Sequence, residues 1–452
     1  MTDVKISPSF NTLVNWLSSK QKDPKQWRIG TEHEKFIYTL DGFAPVAYEG
    51  EAGIEAILHY LSDTYDMTPI LEQGKYVALK TNDGASISLE PGGQFELSGN
   101  IVKTLHHSCV ETNKHLRQML DVTAKLGLGM IGSGFHPTAS REQINWMPKG
   151  RYKIMKNYMP KVGNLGLDMM LRTCTIQTNL DYQDEEDMRR KFKTSLALQP
   201  IATALFANSP IKDGRLTNIQ SNRALVWTDT DPDRCGVPQC VFDSNFGYEQ
   251  WIDYVLDVPM YFIYRDGQYL DVAGKSFRRF MTSENREEFF GYTASMSDFE
   301  EHITTVFTDV RLKGYLEMRG ADGGPWSIIC ALPALWVGLL YDAEALQKAE
   351  AIANQFSHQD VVNARISAAK DGLKGQIGSQ NIHQVAKQLI EIAEKGLKNR
   401  ARIDEDGEDE RTFLTPLKTI IDSGLTQADV VRELYHAEWN QDINKVYTYY
   451  RY

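Results

Sequence analysis

An α+β fold, with a mainly antiparallel sheet flanked by helices, is predicted by three features of the sequence. Strand-like segments do not alternate regularly with helical ones, so a doubly wound parallel sheet is not expected. Three of those segments alternate apolar residues with polar ones that include acids, the period of a strand with two unlike faces. After Cys330 the pattern turns almost wholly helical.

In chain order, Ser7-Pro8 reads as a helix cap with proline at the first helical position. Phe10, Leu13, Val14 and Leu17 then follow at helical spacing. Arg28–Leu40 changes to strand character, and Glu51–Tyr65 reads as a helix. Tyr76–Leu97 is expected as two strands broken at Pro91-Gly92-Gly93. Leu105–Leu126 is helical, and Gly129–Phe135 and Met170–Leu180 are strands. Glu185–Ala207 is a helix that Pro200 should kink or interrupt. Further strands are expected at Ala224–Thr228, Met260–Tyr264 and Tyr315–Arg319. Cys330–Tyr341 reads as a buried helix, too short for a membrane span. Val385, Leu389, Ile392, Ala393 and Leu397 form an apolar stripe, and Thr426 with Asp429 reads as a cap.

At 452 residues, 42% of them hydrophobic, the chain can bury a large core. Length alone allows two or three domains. The acidic run Asp404–Glu410, read as a solvated loop, is the one linker-like stretch. A single domain over 1–452 is therefore expected, mostly helical from about 330. A net charge of −11 argues against nucleic-acid or anionic-membrane partners. The opening MTDVKISPSFN lacks the basic and apolar regions of a signal peptide. Five cysteines do not make a disulfide scaffold in a chain this long. Together these point to a soluble cytoplasmic protein, monomer or homodimer. Gly127, Gly129, Gly132 and Gly134 lack a Walker lysine. Cys235 and Cys240 lack partners at zinc spacing, and His106 and His107 read as the opening of a helix.

The chemistry is carried by RIGTEHEKFIY (Arg28–Tyr38), SISLEPGGQFELSG (Ser86–Gly99) and KGYLEMRGADGG (Lys313–Gly324). Alternation puts Glu32 and Glu34 on one face of the first. Glu90 shares a face with Ser86 and Ser88, Glu96 with Gln94 and Ser98, and Glu317 with Tyr315 and Arg319. Taken singly, each pattern fits a half-solvated sheet. If all five carboxylates meet on one sheet face, their repulsion calls for cations. Hard divalent ions with oxygen ligands suit that role, and magnesium suggests phosphoryl chemistry. Arg319 is then placed to pair with a phosphate oxygen.

These segments resemble the plant-type glutamate–cysteine ligases, a group shared by plants and many bacteria. The resemblance runs from about Ile29 to near the C-terminus. It is densest at SLEPGGQFELSG, Met147–Asp181, Leu196–Pro210, Trp227–Arg234 and Tyr315–Trp326. It implies a sheet related to that of glutamine synthetase. It also implies ATP-dependent phosphorylation of the glutamate γ-carboxylate, followed by displacement of phosphate by the cysteine amine. By that resemblance Glu32, Glu34, Glu90, Glu96 and Glu317 are magnesium ligands, with Glu317 and Arg319 catalytic. Arg319 would stabilise the transferred phosphoryl group, and Lys80 would also touch ATP. Arg151 and Arg223, and more weakly Arg172, would clamp the glutamate carboxylate. Gln177 stands where related bacterial ligases outside this group carry a metal-binding histidine, so hydrogen bonding suits it better. Tyr261 or Tyr264 would border the cysteine pocket. Cys109 and Cys330 align with a pair that forms a disulfide in plant members. A second plant pair has no counterpart, because Tyr269–Phe299 holds no cysteine. Two alternatives remain open at this point: a ligase of the same fold acting on another amine, and a non-catalytic nucleotide-binding homologue.

Overall fold

The computed structural model describes residues 7–282 and 286–452. Residues 1–6, on which the signal-peptide reading partly rests, lie outside the described residues. Nine described strands form one sheet: β1 (Ile29–Thr39), β2 (Thr68–Glu72), β3 (Lys75–Lys80), β4 (Ser86–Leu89), β5 (Phe95–Ser98), β6 (Leu128–Ile131), β7 (Thr175–Leu180), β8 (Val310–Leu312) and β9 (Leu316–Asp322). Their order is β8-β9-β7-β1-β5-β4-β3-β2, with β6 also paired to β1. Every pairing within it is antiparallel. The predicted α+β architecture is therefore the one observed.

Seven helices position the sheet and its contents: α1 (Leu105–Leu126), α2 (Gly150–Tyr158), α3 (Glu185–Leu205), α4 (Asn222–Val226), α5 (Met296–Thr304), α6 (Ala331–Leu340) and α7 (Ile382–Arg400). Helices α1, α3 and α6 pack on the sheet. Against them lie apolar side chains such as Ile176, Leu180, Leu316 and Met318, all buried. Burial of that surface, at about 25 cal/mol per Å², is what holds the two layers together. Helix α6 is buried along its whole length and packs on α7. Gly338 and Gly396 face each other at that contact, and a Cβ on Gly396 would strike the Gly338 carbonyl. Among the described residues no single helix is long and apolar enough to cross a membrane.

Several local expectations need correction. Ser9, not Ser7, caps the first helix, with its hydroxyl accepting the Thr12 N–H. The run Tyr76–Leu97 holds three strands rather than two, because Asn82-Asp83-Gly84 adds a turn that the Pro-Gly-Gly signal overshadowed. Ala224–Thr228 is helical, since Ser221 caps α4 by accepting the Ala224 N–H. The strand expected from Met170 begins only at Thr175, after a short helix, Gly166–Arg172. Helix α3 runs through Pro200 without interruption. Glu410, read as part of a solvated loop, is buried: its Oε1 accepts the Leu105 N–H at 2.8 Å and caps α1.

Candidate active site

The central strands lay down the acids in register. Glu34 on β1 pairs with Glu96 on β5, and Glu32 pairs with Ser98 on one side and Gln177 on the other. Because side chains alternate, these groups share one face. The opposite face of β1 sends Lys35 into the interior, where its Nζ lies 2.8 Å from His115 Nε2 on α1. The acid face opens into a cleft of about 430 Å³. Glu32, Glu34, Glu90 and Glu96 line it from the sheet, and Arg151, Arg223, Trp227, Phe262 and Glu301 from the helical side.

Burial pushes the Glu32 carboxyl up to about 7, with Glu317 and Glu96 adding to the effect and Lys313 opposing it. Burial likewise raises Glu34 well above the carboxylate range, with Glu90 and Glu96 contributing. Glu96 is raised by burial and by Glu90, against hydroxyl donors from Ser88 at 2.9 Å and Ser98 at 3.2 Å. Burial and mutual repulsion thus favour the protonated form of these carboxyls unless a cation offsets their charge.

Glu317 behaves differently. It is fully buried and does not line the cleft, being enclosed by cations. Arg311 Nε donates to its Oε2 at 2.7 Å, Arg319 Nη1 to the same oxygen at 2.9 Å, and Lys313 Nζ pairs with Oε1 at 2.8 Å. Burial works to raise its carboxyl, but these three charges outweigh burial and hold it well below the usual range. Glu317 is thus paired with cations where the other four acids are not, while it still adds to the charge felt by Glu32. Arg311 and Lys313 were not anticipated. Their signal was the alternation Arg311, Lys313 just before Gly314, the turn that folds β8 back on β9 and sets Arg311 opposite Glu317.

Arg319 sits at a β-bulge. Met318 and Ala321 of β9 pair with Thr178 and Ile176 of β7, so one extra residue lies between them. A bulge re-aims side chains, and here Arg319 Nη1 also donates to Gln177 Oε1 at 2.7 Å. Arg223 is buried at the cleft wall, its Nη2 donating to the Arg319 carbonyl at 2.8 Å. Asp322, held by the Ser209 and Ser221 hydroxyls at 2.7 Å each, is the opposing charge that acts most strongly on Arg223, followed by Glu34.

Three expected site residues lie elsewhere. Arg172 is bonded to Asp168 and Asp213 and packs on the Phe135 ring, so its guanidinium is committed to structural pairs. Tyr261 is buried behind the cleft with Arg234 stacked 3.8 Å from its ring, and the neighbouring Phe262 lines the cleft instead. Lys80 is exposed and does not line the cleft, though it shares the acid face of the sheet, in register with Ser86, Ser98 and Glu32. Cys109 and Cys330 are bonded, with Cα atoms 6.0 Å apart.

Among the described residues no three acids, histidines or cysteines converge closely enough to hold an ion alone. The oxygen-only donor set nevertheless fits magnesium, which needs one or two carboxylates when phosphate oxygens and water complete its shell.

Residues 28–449 match glutamate-cysteine ligase family 2. The chain is 47% identical to glutamate–cysteine ligase A, chloroplastic, of Oryza sativa subsp. indica, over 96% of this chain and 86% of that protein. It is 46% identical to the chloroplastic enzyme of Arabidopsis thaliana, over 96% and 81%. Its fold resembles that of the Francisella tularensis glutamate–cysteine ligase solved in complex with AMP. That likeness has a TM-score of 0.56 at 13% identity and covers 94% of this chain and 89% of that one. The names of the plant relatives, which place them in the chloroplast, overturn the expectation of a cytoplasmic protein.

Proposed function

The chain belongs to glutamate-cysteine ligase family 2, and from that premise we propose how its cleft performs the reaction. The enzyme uses ATP to join the γ-carboxylate of L-glutamate to the amine of L-cysteine through a γ-glutamyl phosphate, the first step of glutathione biosynthesis. One observation carries the assignment of residues: four carboxylates and a row of cations ordered by Glu317 line a single cleft from neighbouring strands of one sheet.

Glu32, Glu34, Glu90 and Glu96 would hold magnesium, which would supply charge neutralisation to the nucleotide phosphates. Arg319, with Lys313 and Arg311 beside it, faces the transferred phosphoryl group and stabilises the charge that develops on it. Glu317 fixes that row of cations, and Gln177 sets the direction of the Arg319 guanidinium. Arg151 and Arg223 hold the glutamate carboxylate, a planar acceptor suited to a guanidinium fork. Phe262 takes the place expected for Tyr261 at the wall met by cysteine. Lys80, on the same sheet face, reaches the outer part of the nucleotide.

The test is ADP release by the purified protein with ATP, magnesium and glutamate against a panel of amino-acid amines. Release should depend on both glutamate and magnesium and be fastest with cysteine. Equal release with and without cysteine, or a better unrelated amine, would overturn the assignment.

A further inference from the structure

Glu301 has no role in the account above, yet it projects into the cleft from α5. That helix is firmly seated: Phe299 and Ile303 are buried, and His302 Nε2 lies 2.9 Å from the Val255 carbonyl oxygen. Asp298 of the same helix receives both Arg265 nitrogens, at 2.6 and 2.7 Å. Glu301 makes a much looser pair. One oxygen lies 3.4 Å from Arg151 Nη1, and both side chains remain about one-third exposed, at 34% and 32%. Arg151 otherwise lies over the Tyr152 ring, 5.7 Å from its centroid, and among the described residues the Glu301 carboxylate accepts no other hydrogen bond. An anion and a cation are thus held side by side on a cleft wall, with most of their hydrogen-bonding capacity unspent.

An α-amino acid is a zwitterion whose ammonium and carboxylate complement such a pair. The chemistry decides which substrate it receives. A carboxylate beside an amine favours the protonated form, and a protonated amine cannot attack. Cysteine must present a free amine to the γ-glutamyl phosphate, so the pair suits the amino acid whose amine must stay inert. We propose that Arg151 and Glu301 together bind the α-carboxylate and α-ammonium of glutamate, and that Glu301 keeps that amine from reacting.

The consequence concerns the activated intermediate. If its α-amine were free, the nitrogen would attack the γ-carbonyl carbon within the same molecule. The C–N bond would form as the bond to the phosphate oxygen broke. Inorganic phosphate would leave, the amine proton would pass to solvent, and a five-membered lactam, 5-oxoproline, would result. Glu301 opposes this by holding the nitrogen protonated and turned away.

The inference rests on the proposed function, so its test includes binding measurements that need no turnover. Calorimetry compares L-glutamate with glutarate, which lacks the ammonium, on wild type and Glu301→Gln. Losing a charged hydrogen bond should weaken glutamate binding at least about 10-fold, while glutarate binding stays within about 3-fold. Glu301→Asp should recover part of the loss. In turnover without cysteine, the variant should form several-fold more lactam per ADP than wild type. Unchanged glutamate binding, or glutamate and glutarate weakened alike, would overturn the proposal, as would a wild-type lactam ratio. Failure of cysteine to stimulate wild type would instead break the functional reading, leaving the glutamate–glutarate comparison to judge Glu301.

Discussion

Five glutamates share a motif pattern but not an environment, and the difference predicts opposite effects of one substitution. Glu96 is raised by burial and by Glu90, so neutralising it relieves repulsion. Glu96→Gln should fold at least as stably as wild type without metal, yet lose kcat by at least about 100-fold, the scale of losing a preorganised electrostatic contact. Glu317 is the counter-charge of Arg311, Lys313 and Arg319. Glu317→Gln should therefore lose activity and also stability, by about 3–5 kcal/mol, because it strands buried cations. Denaturant titration of both variants beside their ADP release checks this. Equal stabilities would show that Glu317 belongs electrostatically with the other acids.

At the level of elements, the bulge in β9 depends on what lies beneath it. Gly320 sits against α3, where an added Cβ would meet the Gln199 amide and come within 2.8 Å of Thr203 Oγ1. Thr203 also donates to the Gly320 carbonyl at 3.0 Å. A larger residue must push strand and helix apart, and the strand carries Arg319 with it. Overpacking of this kind costs about 1–3 kcal/mol, and small displacements at a reacting centre can cost about 100-fold in rate. Gly320→Ala should thus lower kcat far more than its modest loss of stability implies. A variant with wild-type kcat would mean that Arg319 is aimed by Glu317 and Gln177 alone.

On the scale of the whole molecule, the Cys109–Cys330 bond joins α1 to the residue preceding α6, across 221 residues of chain. Glu410 adds a second tie near the same place, accepting from Leu105 and pairing with Arg400 at 3.1 Å. Closing so long a loop limits the unfolded chain, with a ceiling of about 5 kcal/mol. Reduction should lower the melting temperature by a few degrees, on the order of 3 °C for a chain this size. Cys109→Ser should melt at the reduced value and no longer respond to reductant. A melting temperature that reductant leaves unmoved in wild type would show that packing, with the Glu410 tie, already fixes the two helices.

The acid strands were legible because a strand's period is a local property. Residues 32, 34, 96, 317 and 319 fall on alternate positions whatever surrounds them, and the long motifs carried the family resemblance. Leu105–Leu126 and the Thr426 cap were legible for the same reason, each written within a few turns of chain. Partners distant in sequence were not. Arg311, Lys313 and Arg319 lie within six residues of Glu317, yet only the pairing of β8 with β9 shows that all three close on it. Nothing near Arg172 shows that Asp213 would take its guanidinium. Nor could Glu301, one polar residue on a helix, be seen to meet Arg151 from 150 positions away. Periodicity fixes which face a side chain takes; which charges then share that face depends on how strands and helices assemble, because electrostatic interaction acts through space and not along the chain.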